Sequence, residues 1–170
     1  MSISMYSASV PVLERTLANM LNWFDKAQAH AEARKFDTAN YLGLRLAPDM
    51  LPLVRQVQIV SDGAKGCVAR LSGQEPPKWE DTEASLDDLR ARVRKTIDYV
   101  KSVPASQIDG TEAHEIVLPV RSGEPMRLTG EVFLKHFVLP NFYFHATTTY
   151  ALLRHAGVEL GKRDYLGPMA

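Results

Sequence analysis

The chain has 170 residues, 45% hydrophobic and 24% charged, the balance of a soluble globular domain able to bury a full core. Lys and Arg together number 20, as do Asp and Glu, so no net field draws it to nucleic acid or an anionic membrane. No apolar run approaches the roughly 20 residues that span a bilayer, and one cysteine, Cys67, excludes an internal disulfide and fits a reducing compartment.

The N-terminal stretch MSISMYSASVPVLERTL lacks a basic region followed by an unbroken apolar one, so no signal peptide is expected. The expectation is one cytoplasmic domain over residues 1–170. The first helix is predicted from about Ser9 to Arg34, with Ser9 as N-cap and Pro11 tolerated in the first turn. Val10, Leu13, Leu17, Met20, Leu21, Phe24 and Ala31 recur on one face. A loop follows from Phe36 to Leu46, where Asp37 is placed to cap a short turn.

A second helix is predicted from near Pro48 to Leu71, with Leu46, Met50, Leu53, Val57, Val60, Ala64, Val68 and Leu71 in one stripe. Gly63 and Gly66 lie inside it, where small residues permit close helix approach. The segment Gln74-Glu-Pro-Pro-Lys-Trp79 is a loop because of its two prolines. A third helix is expected from Thr82 to Val103, with Leu86, Leu89, Val93, Ile97 and Val100 facing the core.

Residues 114–120 and 126–129 flank Arg-Ser-Gly-Glu-Pro and read as a small β-hairpin that packs on the helices. The fourth helix starts at Thr129 or Gly130 and runs to Ala156, with Gly157 as its C′ residue. Pro140 is expected to loosen the turn at 136–140. The tail from Val158 to Leu166 is expected to lie extended against the domain. Together these elements predict an all-α, up-down four-helix bundle with a hairpin before the last helix.

The fourth helix carries the sequence PNFYFH at 140–145. At 100° per residue Asn141 and His145 share a face with the apolar Leu134, Val138 and Leu152. Buried polar groups need partners, so something inside the bundle should bond or be bonded by this pair. On the second helix Asp49 and Gln56 edge the apolar stripe, whereas Gln58 and Asp62 point away and are expected to be solvated. His145, Asn141, Asp49 and Gln56 are therefore the candidates for a cation site, for a polar-ligand site, or for a buried network serving specificity alone. The opposite face, with Leu139, Phe142, Tyr143, Tyr150 and Leu153, suggests a homodimer through helix four. His30 and His114 read as surface positions, His155 as a capping-type residue, and Cys67 as a small buried hydrophobe.

The stretches RLAPDMLPLVRQVQ at 45–58, WEDT at 79–82 and LPNFYFHATTTYALLRHAGVELGKRDYL at 139–166 resemble the DinB/YfiT-like superfamily, in particular a branch known as a domain of unknown function. The resemblance covers nearly the whole chain and implies a bacterial four-helix bundle. Metal-binding members of that superfamily use a histidine on helix two and two histidines four apart on helix four. Relative to Leu153-Arg154, His145 matches the second of these; Asn141 falls where the first would be, and helix two has no histidine. A divalent metal such as zinc or nickel would thus keep one of its three histidine ligands. The resemblance leaves two functions in view. One is a dimeric, non-catalytic or small-ligand-binding bundle with an incomplete metal site. The other is a metal-dependent transferase or isomerase acting on a small thiol or organic acid between helices two and four.

Overall fold

In a computed structural model the chain is described over residues 3–120 and 122–168. Helix α1 spans Val10–Arg34 with Pro11 in its first turn. It ends at Lys35, a left-handed residue whose N–H closes the last turn. A 3-10 turn follows at Thr38–Tyr41, and the Asp37 carboxylate accepts from the Ala39 N–H at 2.8 Å as its cap. Helix α2 spans Leu53–Leu71, starting five residues later than the apolar spacing predicts. The reason is Pro52: it sits extended as the N-cap and keeps Leu51 before it out of helical geometry. Residues 42–52 instead fold back as a loop, whose Leu44 and Leu42 carbonyls accept from the N–H groups of Leu53 and Val54. Leu46 and Met50 therefore leave the helical stripe.

Helix α3 spans Leu86–Ser102. The Ser85 hydroxyl accepts from Asp88 N–H, and the Asp88 carboxylate accepts from Ala84 N–H, so the helix starts at this reciprocal cap and not at Thr82. The hairpin pairs β1, Glu115–Leu118, with β2, Met126–Thr129, in antiparallel register with Ile116 opposite Leu128. Ile116 and Leu118 anchor it to the core.

Helix α4 opens with a turn at Gly130–Val132, passes through a π-helical segment Phe133–Val138, and continues as an α-helix over Leu139–His155. The π segment is what Pro140 does to the helix. Pro140 offers no N–H, and its ring would collide with the carbonyl four residues back. Widening the preceding turn lets Leu139 N–H reach back five residues to the Leu134 carbonyl and places Pro140 in the first turn of a fresh α segment. The helix ends as expected at Gly157 (φ 97°), where the N–H groups of Gly157 and Val158 bond Arg154 and Leu153 carbonyls.

The tail does lie against the domain, but as a short helix α5, Lys162–Leu166, started by the Asp164 carboxylate accepting from Gly161 N–H. Tyr165 stacks on Trp23 at 5.5 Å, and the Trp23 indole donates to the Asp164 carbonyl. This changes the reading of the far face of α4. Phe142 and Leu153 are fully buried within the chain, and Tyr150 packs edge-on against Trp23 and Tyr165. Helices α1 and α5 cover that part of the face, while Leu139 and Tyr143 stay half-buried. Among the described residues, the large apolar side chains of α4 that are exposed are Val132, Phe137 and Phe144, at 39%, 41% and 56%.

Gly63 and Gly66 do not serve close helix packing. A Cβ at Gly63 would meet nothing within 4 Å, and one at Gly66 would meet the folded-back Arg70 guanidinium of the same helix. No helix among the described residues is long and apolar enough to cross a membrane.

Candidate functional site

Helices α2 and α4 pack along their lengths and bring Gln56 against His145. His145 Nδ1 lies 2.6 Å from Gln56 Oε1, and Gln56 Nε2 donates to the Leu51 carbonyl at 2.9 Å. The direction of this chain is fixed by its end. A carbonyl oxygen only accepts, so the Gln56 group facing Leu51 is the NH2 and the atom facing His145 is an oxygen. His145 must then carry its proton on Nδ1, which leaves the Nε2 lone pair available. His145 is 9% exposed, and burial pushes its pKa below the usual 6.5, keeping the ring neutral. Nε2 makes no hydrogen bond with the described residues. It is also absent from the fully buried, partnerless side-chain atoms among them, which are only Arg90 Nε and Arg92 Nε, so it touches solvent. The Phe144 ring meets the imidazole edge-on at 5.0 Å.

Of the other two candidates, Asn141 is half-buried one turn before His145 and makes no hydrogen bond with the described residues. Asp49 lies on the exposed loop before α2, with no bond to the pair. As metal ligands the four residues fit poorly. The Gln56 amide is committed at both ends, Asn141 offers a weak amide ligand, and only His145 Nε2 has the basic lone pair that zinc or nickel prefers. Among the described residues no three His, Cys, Asp or Glu side chains gather as a metal would require. Next to the pair, the loop and α4 form an apolar cavity of about 380 Å³ lined by Leu46, Tyr143, Phe144, Thr147 and Ala151 among others.

A second polar centre lies on the other side of α2, and sequence reasoning missed it. Gln58 is buried, not solvated: its amide donates to Glu83 at 2.6 Å, and its oxygen accepts from Arg55. Asp62 is half-solvated but bonds Lys65 at 2.7 Å and Arg92 at 3.1 Å. The Arg92 side chain, 3% exposed, gathers Asp62, Asp81 at 3.0 Å and Glu83 at 2.7 Å. Burial pushes the Glu83 carboxyl upward, but hydrogen bonds from Arg92 and Gln58, its own backbone and the Arg92 charge hold it below its ordinary value. Arg55 also pairs with Asp81. These contacts clamp the strap of residues 79–84 onto α2 and α3. Trp79 completes the clamp, with the Lys65 and Lys95 ammonium groups 4.5 and 4.4 Å from its ring centre. The Arg92 and Trp79 side chains border a cleft of about 560 Å³. The only signal in sequence is the run Trp79-Glu-Asp-Thr82 itself; its partners are set by tertiary contact.

Residues 5–166 match the family model described as a domain of unknown function, DUF1993. The crystal structure of a DinB family member protein from Shewanella denitrificans is similar: 42% identity, 96% of this chain and 92% of that one covered, TM-score 0.87. No curated protein matches the chain.

Proposed function

The chain belongs to the DUF1993 family of DinB-like helical proteins, and from that premise we propose that it is a non-catalytic bundle that binds a small polar organic molecule at His145. The observation that carries this reading is the relay from the Leu51 carbonyl through Gln56 to His145 Nδ1. It spends one imidazole nitrogen on orienting the ring and leaves the other as an acceptor in contact with solvent. Such an acceptor suits a hydroxyl, thiol or amide N–H of a ligand. The Asn141 amide, one turn away, supplies both a donor and an acceptor for a second contact. The apolar cavity beside Phe144 is suited to the ligand's hydrocarbon part.

The protein acts as a homodimer in this reading, through the exposed stripe of α4. Phe137 and Phe144 are exposed seven residues apart, half-buried Ala151 follows after another seven, and Leu46 and Leu51 of the loop add exposed apolar surface. A stripe along one helix is self-complementary about a two-fold axis, as an isologous interface needs. Light scattering should give about twice the 19.0 kDa chain mass and fall to the single mass in Phe144→Asp. A wild-type value at the single mass removes the dimer.

The ligand claim is tested with protein purified without chelator or affinity tag, wild type beside His145→Ala. Elemental analysis should show no stoichiometric metal in either. Small alcohols, thiols and amides should give saturable NMR shifts at His145 that the variant lacks. Stoichiometric zinc or nickel lost in His145→Ala would contradict the proposal. It would favour the metal-dependent transferase or isomerase, for which the Nε2 lone pair is the supporting feature.

A further inference from the structure

Two polar groups reach the hollow between α1, α4 and α5, and a backbone carbonyl fixes the direction of each. Asn19 on α1 is 3% exposed, and its amide donates to the Tyr165 carbonyl at 2.9 Å. A carbonyl only accepts, so the group facing Tyr165 is the NH2 and the other end of the amide is the oxygen. That oxygen accepts no hydrogen bond from the described residues. It is not among their fully buried partnerless atoms, so it touches open space. Gly167 (φ 71°) leaves it uncovered: a Cβ there would lie 2.2 Å from the Asn19 oxygen.

The second group is the phenol of Tyr143 on α4. The Thr16 hydroxyl donates to the Val12 carbonyl at 3.2 Å, and Thr16 and Tyr143 hydrogen-bond through their side chains. With the Thr16 proton on Val12, the phenol must be the donor in that second bond. Burial, and after it the neighbouring Tyr165 phenol, raise the Tyr143 pKa more than the Thr16 bond lowers it, so the phenol keeps its proton. What the Tyr143 oxygen has left is a lone pair, an acceptor.

Asn19, Thr16, Tyr143 and Tyr165 line one cavity of about 440 Å³, with Pro11 and Val12 as an apolar wall. The Tyr165 hydroxyl lies 2.8 Å from Thr147 Oγ1 and can turn to donate or to accept. Among the described residues no Asp or Glu lines the cavity, so its wall has no charge to pair with an organic cation. Two fixed acceptors disfavour an anion as well. A neutral molecule with several hydroxyl groups meets both conditions. It donates to Asn19 and Tyr143, and its own oxygens accept from the adaptable Tyr165 hydroxyl.

From this geometry we propose that the cavity binds a neutral polyol, a sugar or a sugar alcohol, through Asn19 Oδ1 and the Tyr143 oxygen. Pro11 and Val12 take its C–H face. Tyr143 also borders the apolar cavity beside Phe144, but the site uses neither His145 nor Gln56 and stands or falls independently of that pair.

The test is an NMR titration of the full chain with ribose and, separately, ribitol, with 1-propanol as the one-hydroxyl comparison. Saturable shifts are expected at the Asn19 side-chain amide and the Tyr143 ring. Saturation by ribose alone assigns a cyclic sugar, and saturation by ribitol an open-chain polyol. In the wild type 1-propanol should bind at these groups about tenfold more weakly or worse, because it satisfies only one of the two acceptors. Tyr143→Phe keeps the ring and the Thr16–Val12 bond, and should weaken polyol binding about tenfold. The proposal is overturned if neither polyol gives a saturable Asn19 shift, if 1-propanol binds there as well as the polyols, or if Tyr143→Phe binds them as well as wild type. A polyol shift confined to the His145 ring also overturns it, since that reports the other site.

Discussion

Replacing Arg92 by methionine keeps the length and apolar stem of the side chain and removes its charge. Three carboxylates lose their common partner, but not equally. Asp62 and Asp81 are 45% and 34% exposed and can turn to water. The Glu83 side chain is 10% exposed, so it is left as a nearly buried carboxylate with only Gln58 and its own backbone N–H to bond it. Orphaning one member of a buried pair costs about 3–5 kcal/mol, and with the other two carboxylates resolvated the lower end, about 3 kcal/mol, applies. For a chain of this size that lowers Tm by about 6–12 °C. The pH dependence gives a second reading. In the wild type the Glu83 pKa is depressed, so its contribution is complete above the ordinary carboxyl value of 4.5 and is lost as pH falls through the folded value. In Arg92→Met burial raises that pKa, and protonation relieves the buried charge. The gap between the two proteins should therefore narrow as pH drops from 7 to 3. Urea unfolding across that range measures both effects. A loss under about 1 kcal/mol at pH 7, or a gap that stays constant with pH, would refute the reasoning.

Gly130→Ala should be among the most damaging small changes, because its Cβ would fall 2.1 Å from the Thr111 backbone carbonyl, which cannot swing aside as a side chain can. We expect a loss of about 3 kcal/mol in urea unfolding; a wild-type midpoint would contradict the packing described at the start of α4. Cys67 is fully buried, and burial pushes its thiol pKa up to about 12. It should resist thiol reagents in the native protein and react at the rate of global unfolding, so rapid stoichiometric labelling at neutral pH would argue against a sealed α2 core.

What could be read in the sequence is what repeats along it. The apolar faces of α1, α3 and α4 recur every three to four residues, and Gln56 and His145 are two of the four residues that spacing places on facing helices; the structure bonds these two and leaves Asp49 and Asn141 out of the pair. Pro140 was legible as a disturbance, though not as a π segment, since the choice between kink and widening depends on what the rest of the helix must keep buried. The start of α2 was misplaced because Leu46 and Met50 continue its apolar period. Periodicity cannot register that Pro52 makes the chain enter the helix extended.

The Arg92 cluster was not legible for a different reason. Gln58 and Asp62 lie on the polar side of their helix, and a polar side is solvated unless something covers it. What covers it is an extended strap, residues 79–84, with no period of its own. His30, read as a surface position, is half-buried, and the Tyr41 hydroxyl it bonds comes from the short turn Thr38–Tyr41, which has no apolar period to reveal it. Phe142, Tyr150 and Leu153, on the face of α4 assigned to a partner subunit, are packed within the chain, with α1 and a tail too short to announce itself as a helix lying against Tyr150.

The most direct test of the central claim is a long-range proton–nitrogen correlation of the His145 ring, recorded on protein prepared without chelator and again after chelator is added. The account predicts one neutral tautomer near pH 7, protonated at Nδ1 and bare at Nε2, with the same nitrogen shifts in both spectra. A proton on Nε2 would break the relay through Gln56. A coordinated Nε2 signal that collapses when the chelator is added would replace the ligand-binding bundle with a metalloprotein.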